Sequence, residues 1–255
     1  MRGNKILTAG TLDGVLSPGL CAEAAGPLRA RRGRPCQIAE PERRQRVLDA
    51  AEGVFFEQGY GSASMDDIAR RAGMSKKTLY RLFETKESLF AAMVAARRAV
   101  LDAMIAGNAC ADNASAEDVL CSYLGKVARF VLAPRQAALY RLVIAESLRT
   151  PELANAFYHE GPCKVRAVLE QWLARQHATG ALYVPDPERD AGMLCSMVIG
   201  ELQMRLLVGA LRAPDDALID ATVDRAVDLF LRGARPRSGE KELAREKEMA
   251  GQKRH

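Results

Sequence analysis

The stretch SMDDIARRAGMSKKTLYRLF (Ser64–Phe83) has the pattern of two short helices joined by a tight turn. Ser64 and Asp67 have the three-residue spacing of a capping box, which satisfies backbone donors at the start of a helix. Gly73 tolerates a positive φ and is predicted to end this helix. Ser75 is a suitable cap for the next one. The stretch therefore predicts a helix-turn-helix.

The second helix of this pair is predicted to be apolar on one side and basic on the other. Leu79, Leu82 and Phe83 fall on one face and are expected to pack against the first helix. The opposite face offers hydrogen-bond donors to phosphates and base edges, and such a helix commonly enters the major groove of DNA. The candidate DNA contacts on it are Lys76, Lys77, Thr78, Tyr80 and Arg81.

The residues that flank the motif extend the candidate site. Thr85 is predicted to cap a further helix, and Lys86 stands in its first turn, where a positive charge opposes the helix dipole. Since helix stability does not explain Lys86, we expect it to contact a phosphate. Upstream, Pro41 is predicted to start a helix that Gly59 ends, with an apolar stripe between Val47 and Phe55.

At this point the chain resembles the tetracycline-repressor (TetR) family of bacterial transcription regulators. The matching stretch is VLDAAEGVFFEQGYGSASMDDIARRAGMSKKTLYRLFETKESLF (Val47–Phe90), close to the whole of that family's N-terminal signature. The alternative is a generic three-helix bundle whose basic residues are only solvated. The density and order of the matching residues favour the family.

The resemblance implies a role for each candidate contact. Lys77 and Thr78 match positions that contact base edges, while Arg81 fits either a base or a phosphate contact. Many relatives have glycine where this chain has Lys77, so its base preference can differ from theirs. The positions that match phosphate contacts are Ser64, Tyr80 and Lys86.

A basic N-terminal segment precedes the motif. The 255-residue chain has 37 basic and 32 acidic residues, and its net charge of +5 is modest, so the distribution of charge matters more than the total. Arginines cluster early, and Arg32-Gly33-Arg34-Pro35 resembles the core of an AT-hook, which can lie in a narrow minor groove. We expect residues 1–38 to be a disordered arm in which Arg32 and Arg34 contact DNA; an over-extended gene start is the alternative for its first part.

Helical periodicity continues from Thr85 onward without useful strand alternation, and 48% hydrophobic residues suffice for a core. We expect an all-α fold of about nine helices. The predicted segments are the arm (1–38), a DNA-binding domain (39–86, with the helix-turn-helix at about 64–83), a helical effector-binding and dimerisation domain (87–233) and a charged tail (234–255). The long fourth helix would connect the two domains.

The last two predicted helices, about Glu188–Leu211 and Asp215–Arg232, are candidates for a dimer interface. In similar proteins this pair meets its symmetry mate as a four-helix bundle, and a two-fold dimer matches a palindromic operator. The same apolar sides could instead be ordinary core within one subunit. The candidate interface residues are Leu194, Val198, Leu202, Val223, Val227 and Phe230.

The larger domain exceeds what dimerisation needs, so we expect it to bind a small-molecule effector between helices. YRLVIAESLRTPELANAFYHEGP (Tyr140–Pro162) resembles the C-terminal domain of AefR-like regulators within the family, a likeness that names no ligand. The expected logic is a population shift, in which the effector favours a splayed dimer and releases DNA. The candidate pocket residues, each also a candidate for plain core, are Tyr140, Phe157, Trp172, Met193 and Met197.

Other classes of function find little support in the sequence. It has no nucleotide-binding glycine loop and no Ser/His/Asp or paired-carboxylate arrangement on one helix face, which argues against an enzyme. Six cysteines without a CxxC pair and three histidines without ligand spacing predict reduced thiols and no metal or cofactor, although a redox pair stays open. No apolar stretch reaches the roughly 20 residues that span a bilayer, so we expect a cytoplasmic protein. A DNA-coating architectural protein, and activation instead of repression, stay open as well.

Overall fold

The computed structural model describes residues 39–106 and 114–234. These residues form ten helices and no strand, which confirms the all-α prediction; the count exceeds the expected nine by one. The predicted arm and all of the predicted tail but Ala234 lie outside the described residues. In chain order the helices are α1 (Glu40–Gln58), α2 (Met65–Arg71), α3 (Lys76–Leu82), α4 (Lys86–Ala106), α5 (Ala116–Val131), α6 (Pro134–Glu146), α7 (Pro151–Glu160), α8 (Pro162–Ala178), α9 (Pro187–Leu207) and α10 (Asp216–Gly233).

The turn between α2 and α3 forms as its sequence predicts. The Ser64 hydroxyl accepts a hydrogen bond from the Asp67 N–H at 3.1 Å and caps α2, and Ser75 does the same for α3 with the Thr78 N–H at 3.2 Å. Between them, Gly73 has a φ of +65°, a conformation that costs glycine little and other residues more. These local interactions fix the angle at which α3 leaves α2.

A buried aromatic cluster forms the centre of the first core. The rings of Phe55 and Tyr60 lie 5.2 Å apart between centroids, and Phe90 of α4 packs edge-on against both. Apolar side chains of α1, α2 and α3 surround this cluster. The core then continues without interruption into α6 and α7 through Leu139, Val143, Leu153 and Phe157.

The shared core bears on the predicted domain boundary. Residues 86 and 87 lie at the start of α4, whose Leu89, Phe90 and Met93 belong to the first core. The division between a DNA-binding and an effector domain stays a prediction about function. In packing terms, the described residues form one contact unit.

A second core joins the C-terminal helices. It is built mainly from α5, α8, α9 and α10, with fully buried leucines such as Leu124, Leu173 and Leu194. Arg129 of α5 adds a surface clamp, because its guanidinium donates to Asp216 and Asp220 of α10 at 2.8 and 2.6 Å. The last two helices are therefore held against α5 within one subunit.

Proline starts four helices of the larger part of the chain. Pro134, Pro151, Pro162 and Pro187 are the first residues of α6, α7, α8 and α9, where the missing N–H has no helical partner to lose. The helix predicted to begin at about Glu188 thus begins one residue earlier, at Pro187.

The end of α9 also differs from its prediction. The helix ends at Leu207 instead of about Leu211, and Gly209 follows with a φ of +80°. The guanidinium of Arg141 donates to the carbonyls of Leu206 and Leu207 at 2.5 and 3.0 Å. A residue distant in sequence thus supplies donors to two carbonyls at the end of the helix.

A buried carboxylate links α1 to α4 and α6. Glu52 of α1 is 5% exposed and accepts hydrogen bonds from Arg97 of α4 at 2.5 Å and from Arg135 of α6 at 2.7 and 2.6 Å. Arg97 also donates to Gln136 at 3.1 Å. Burial lowers the pKa of Arg97, an effect that the charge of Glu52 opposes.

Candidate nucleic-acid interface and interhelical cavity

Helix α3 turns its basic side outward. Leu79 is fully buried, whereas Lys77, Tyr80 and Arg81 are exposed on the opposite side. Within the described part of the chain, these three side chains have no hydrogen-bond or ion-pair partner. A cation or phenol that no neighbouring protein group occupies is available to an anionic ligand.

Three other candidate contacts are already engaged by the protein. Lys76 forms an ion pair with Asp66 of α2. The Thr78 hydroxyl lies 2.9 Å from that of Ser75, and Thr78 is half-buried. The Ser64 hydroxyl donates to the Asp67 carboxylate at 2.5 Å, and this bond lowers the pKa of Asp67. Any contact of these groups with DNA therefore competes with, or adds to, an existing bond.

Lys86 requires a correction. Its ammonium donates to the carbonyls of Tyr60 and Ala63 at 2.8 and 3.1 Å and lies 4.4 Å from the centroid of the Tyr60 ring. The interpretation that stability does not explain this residue was wrong, because the ammonium ties the start of α4 to the turn before α2. Its contact with a phosphate stays a prediction. A phosphate could use only the remaining hydrogen.

One arginine that the sequence analysis left out of the site supports α3 from behind. Arg44 of α1 lies 4.3 Å from the centroid of the Phe83 ring and donates to the Leu82 carbonyl at 3.5 Å. The clustering of early arginines was the available signal, although it suggested DNA contact instead of packing. The predicted arm contacts Arg32 and Arg34 lie outside the described residues.

A cavity of about 260 Å³ lies among α4 to α9. Apolar side chains form most of its wall, including Val94, Val127, Phe130, Leu139, Val165 and Ile199. Polar groups on the wall include those of Arg97, Arg98, Arg166, Tyr140 and Gln203. Burial raises the pKa of Tyr140; the neighbouring Gln203 amide opposes this shift, although its contact does not meet hydrogen-bond geometry.

Four of the five predicted pocket residues do not line this cavity. Tyr140 lines it, but Phe157 is buried in the first core with its ring edge-on to Tyr140, and Trp172 packs against the second core. Met193 and Met197 are 57% and 40% exposed on the outer side of α9. Residue size alone was a poor guide, since the wall combines aliphatic and aromatic side chains of different sizes with arginines from several helices.

The predicted dimer residues face the wrong way for an interface. Leu194, Val198, Leu202, Val223 and Val227 are at most 4% exposed, because they form the second core of their own subunit. Phe230 is partly buried against the same core. The alternative of ordinary intramolecular core is the one that the structure supports for these six residues.

A different face of the same two helices is apolar and exposed. We call it the outer stripe: Met193, Met197 and Met204 on α9 with Leu218 and Leu229 on α10. Met193 and Met204 are 57% and 61% exposed. A groove lined by Met197, Ala221, Thr222, Arg225, Ala226 and Leu229 joins the two helices along this side.

Two of the described cysteines, Cys121 and Cys195, are poorly suited to redox chemistry. Burial raises the pKa of Cys195, which lines the cavity, to about 11, and burial, followed by the charge of Asp224, raises that of Cys121 to about 11. Cys121, Cys163 and Cys195 are all free. Within residues 39–106 and 114–234, no cluster of three His, Cys, Asp or Glu residues could hold a metal ion. None of the helices described is both long and apolar enough to cross a bilayer.

Sequence comparisons identify the two parts of the chain separately. Residues 47–93 match the family model of bacterial regulatory proteins of the tetR family, and residues 118–233 match that of the AefR-like transcriptional repressor C-terminal domain. The transcriptional activator FasR of Mycolicibacterium smegmatis is 43% identical over 75 residues, which are 29% of this chain and 34% of FasR. The regulator SrpR of Pseudomonas putida is 41% identical over 61 residues, 24% of this chain and 29% of SrpR. The chain thus spans about a third of the length of these curated relatives.

Solved structures extend the match over most of the chain. A TetR-family regulator from Mesorhizobium loti superposes with a TM-score of 0.67 at 24% identity, covering 78% of this chain and 100% of that one. The flavonoid-responsive regulator FrrA superposes equally well, with a TM-score of 0.67 and the same coverage, at 31% identity. Because FrrA is matched over its whole length and both family models agree, the chain belongs to the TetR family of DNA-binding transcription regulators, and it is not an enzyme.

Proposed function

We propose that this protein is a homodimeric repressor in the bacterial cytoplasm that leaves a palindromic operator when a small-molecule effector fills its cavity. The observation that carries the proposal is the outer side of α3, where Lys77, Tyr80 and Arg81 are exposed without a partner among the described residues. In a helix-turn-helix the second helix enters the major groove. These three side chains are therefore the first candidates for contacts with DNA.

The contacts divide by chemistry. Lys77 and Arg81 can donate to guanine or to phosphate, and the Tyr80 hydroxyl can donate to a phosphate oxygen. Lys76 competes with its ion pair to Asp66. Thr78 is a candidate for a base contact only if its hydroxyl leaves Ser75.

Dimerisation is proposed through the outer stripe. A single α3 helix contacts only the few base pairs of one half-site. A two-fold dimer doubles the length of the recognised site, and its formation requires a self-complementary protein surface. The stripe supplies apolar side chains that lie largely in solvent within one subunit, among them Met193 and Met204. Exposed apolar surface that spans two neighbouring helices is typical of a contact surface.

Helix α4 is the proposed carrier of the signal. Its first residue, Lys86, holds the turn before α2, while Val94, Arg97 and Arg98 further along line the cavity. Twelve residues of helix separate Lys86 from Arg98, or about 18 Å. An effector that favours one position of α4 would therefore shift α3 relative to its counterpart in the dimer, and only its differential affinity for the two positions can do so. The name of FrrA, which describes a response to flavonoids, supports a small organic effector.

The family match of the C-terminal part, which would respond to an effector, favours repression over activation. The matching C-terminal family model describes a repressor, whereas FasR, an activator, is similar over only 29% of this chain. The similarity to FasR makes activation the second candidate.

Selection of bound fragments from random DNA, followed by footprinting, tests the proposal. We expect one short protected site with two inverted half-sites about one helical turn apart. Broad protection without a preferred sequence would instead support the coating of DNA by an architectural protein. A site without two-fold symmetry would contradict the dimer.

A further inference from the structure

The charge on the cavity wall is of one sign. Among the described residues, the wall includes three arginines, Arg97, Arg98 and Arg166, and no aspartate or glutamate. Arg97 is committed to Glu52 and Gln136, which lie toward α1 and α6. The positive charge that faces the cavity therefore comes from Arg98 and Arg166.

Three buried donor nitrogens on this wall have no acceptor among the described residues. They are Nε of Arg98, Nε of Arg166 and Nε2 of Gln203, which come from α4, α8 and α9. Buried donors in folded proteins are nearly always paired, and charged ones most of all. The three side chains that carry them all line this cavity, so a small adjustment of these side chains would bring their donors to an acceptor supplied by a ligand.

Arg166 is the less compensated of the two guanidinium groups. Arg98 forms an ion pair with Asp102. Arg166 donates to the Tyr158 hydroxyl at 3.3 Å, and Glu188, the acidic group paired with it, lies 3.9 Å away and is largely in solvent. A neutral acceptor would satisfy its N–H group but leave its charge without a close counterion.

We infer that the cavity binds a small organic acid as its carboxylate, with the apolar body against Val94, Phe130 and Ile199 and the carboxylate between Arg166 and Arg98. The inference rests on the proposed function, since it names the chemical class of the effector. A carboxylate presents two oxygens that accept from guanidinium N–H groups in one plane. The cavity is larger than the roughly 150 Å³ that admits benzene, which suits a body of one or two rings or a short alkyl chain.

Calorimetry on the full-length protein, without DNA, tests the class of ligand. The probes are 2-naphthoate, phenylacetate and octanoate, each paired with the amide of the same body. We expect at least one carboxylate to bind about tenfold or more tightly than its amide, because only the acid supplies the counter-charge. Arg166→Met should remove that difference by weakening the acid and not the amide.

Two further variants separate recognition from folding. Arg98→Met should weaken the carboxylate as well, whereas Arg175→Met, an exposed arginine on the same helix as Arg166, should leave it unchanged. The inference is overturned if the amides bind as tightly as the acids, if Arg166→Met weakens both alike, or if no carboxylate of the panel binds below about 1 mM. Since none of these measurements includes DNA, such a result would leave operator binding untouched. Conversely, failure to find a palindromic operator would not affect the conclusion about the class of ligand.

Discussion

At the scale of single residues, two lysines on the same small domain have different surroundings. Lys86 donates to two backbone carbonyls and covers the Tyr60 ring, while Lys77 extends from α3 without a partner among the described residues. Both are basic residues of one DNA-binding motif in the sequence. The structure separates a lysine that holds the domain together from one that is available to DNA.

Replacing Lys86 by alanine should destabilise the fold. The change removes two charge-assisted hydrogen bonds and an ammonium–ring contact, and leaves the carbonyls of Tyr60 and Ala63 without their donor. We expect a loss of about 1–3 kcal/mol in the free energy of unfolding, measured by urea denaturation. Lys77→Ala is the control and should change this free energy by less than about 0.5 kcal/mol. Equal stability of the two variants would return Lys86 to a role in DNA contact alone.

Replacing Lys77 by alanine should weaken DNA binding instead. If Lys77 contacts a phosphate, affinity falls for all sequences and the slope of log K against log salt falls by about one. If it contacts a base, the slope is kept and specificity relaxes at one position. Titrations at several salt concentrations distinguish these outcomes, with Lys164→Ala on α8 as a control that should change neither. Unchanged affinity and specificity would remove Lys77 from the interface.

At the scale of elements, the sequence was most informative where the signals were local. Ser64, Gly73 and Ser75 act within three residues of their own positions, and their predicted roles at the helix ends are confirmed. Lys86 was misread because its acceptors lie 23 and 26 residues earlier in the chain. No periodicity reveals a contact at that distance.

Helix α9 shows a second limit of sequence patterns. It is apolar on two sides, one with Leu194 and Val198 and another with Met193 and Met197. Spacing alone cannot tell which side meets the subunit's own core and which lies outside. The leucines and valines are inside, and the more adaptable methionines are outside, where the proposed contact between subunits would tolerate flexible side chains.

The outer stripe yields a prediction about assembly. Met197→Glu places a charge in the groove between α9 and α10, so the dimer should dissociate, as measured by sedimentation at micromolar protein. Operator affinity should fall with it, because each subunit then binds one half-site. Val168→Glu is the matched control, since Val168 is a 46% exposed apolar residue on α8, outside the stripe. A dimer that survives Met197→Glu but not Val168→Glu would move the interface to α8.

At the scale of the whole molecule, one carboxylate joins the first helix to the cavity wall. Glu52 of α1 accepts from Arg97, which lines the cavity, and from Arg135 of α6. Its sequence signal was faint, because Glu52 is one of two acidic residues, with Asp49, inside the apolar stretch between Val47 and Phe55. Through Arg97, Glu52 connects the cavity wall directly to α1.

Glu52→Gln should both destabilise the protein and reduce the response to an effector. The variant removes the counter-charge of two arginines, and we expect a loss of about 2–3 kcal/mol in unfolding free energy, since Arg135 is 64% exposed and stays partly hydrated. The ratio of operator affinities with and without ligand should fall toward one. Glu57→Gln, also on α1 but in an exposed pair with Arg71, is the control and should leave both the stability and the effector response unchanged. An undiminished ratio in Glu52→Gln would show that coupling runs through α4 alone.

The core that α1, α2 and α3 share with α6 and α7 has a consequence for cooperativity. Two regions that share one apolar core unfold together, so circular dichroism and the fluorescence of Trp172 should report a single, coincident denaturation curve. Two separate transitions would show that the DNA-binding domain unfolds on its own. If the protein unfolds in one transition, a substitution that destabilises the cavity lowers the fraction of folded DNA-binding domains by the same factor as the fraction of folded cavities. Variants selected for weak repression would then include many that touch neither DNA nor ligand.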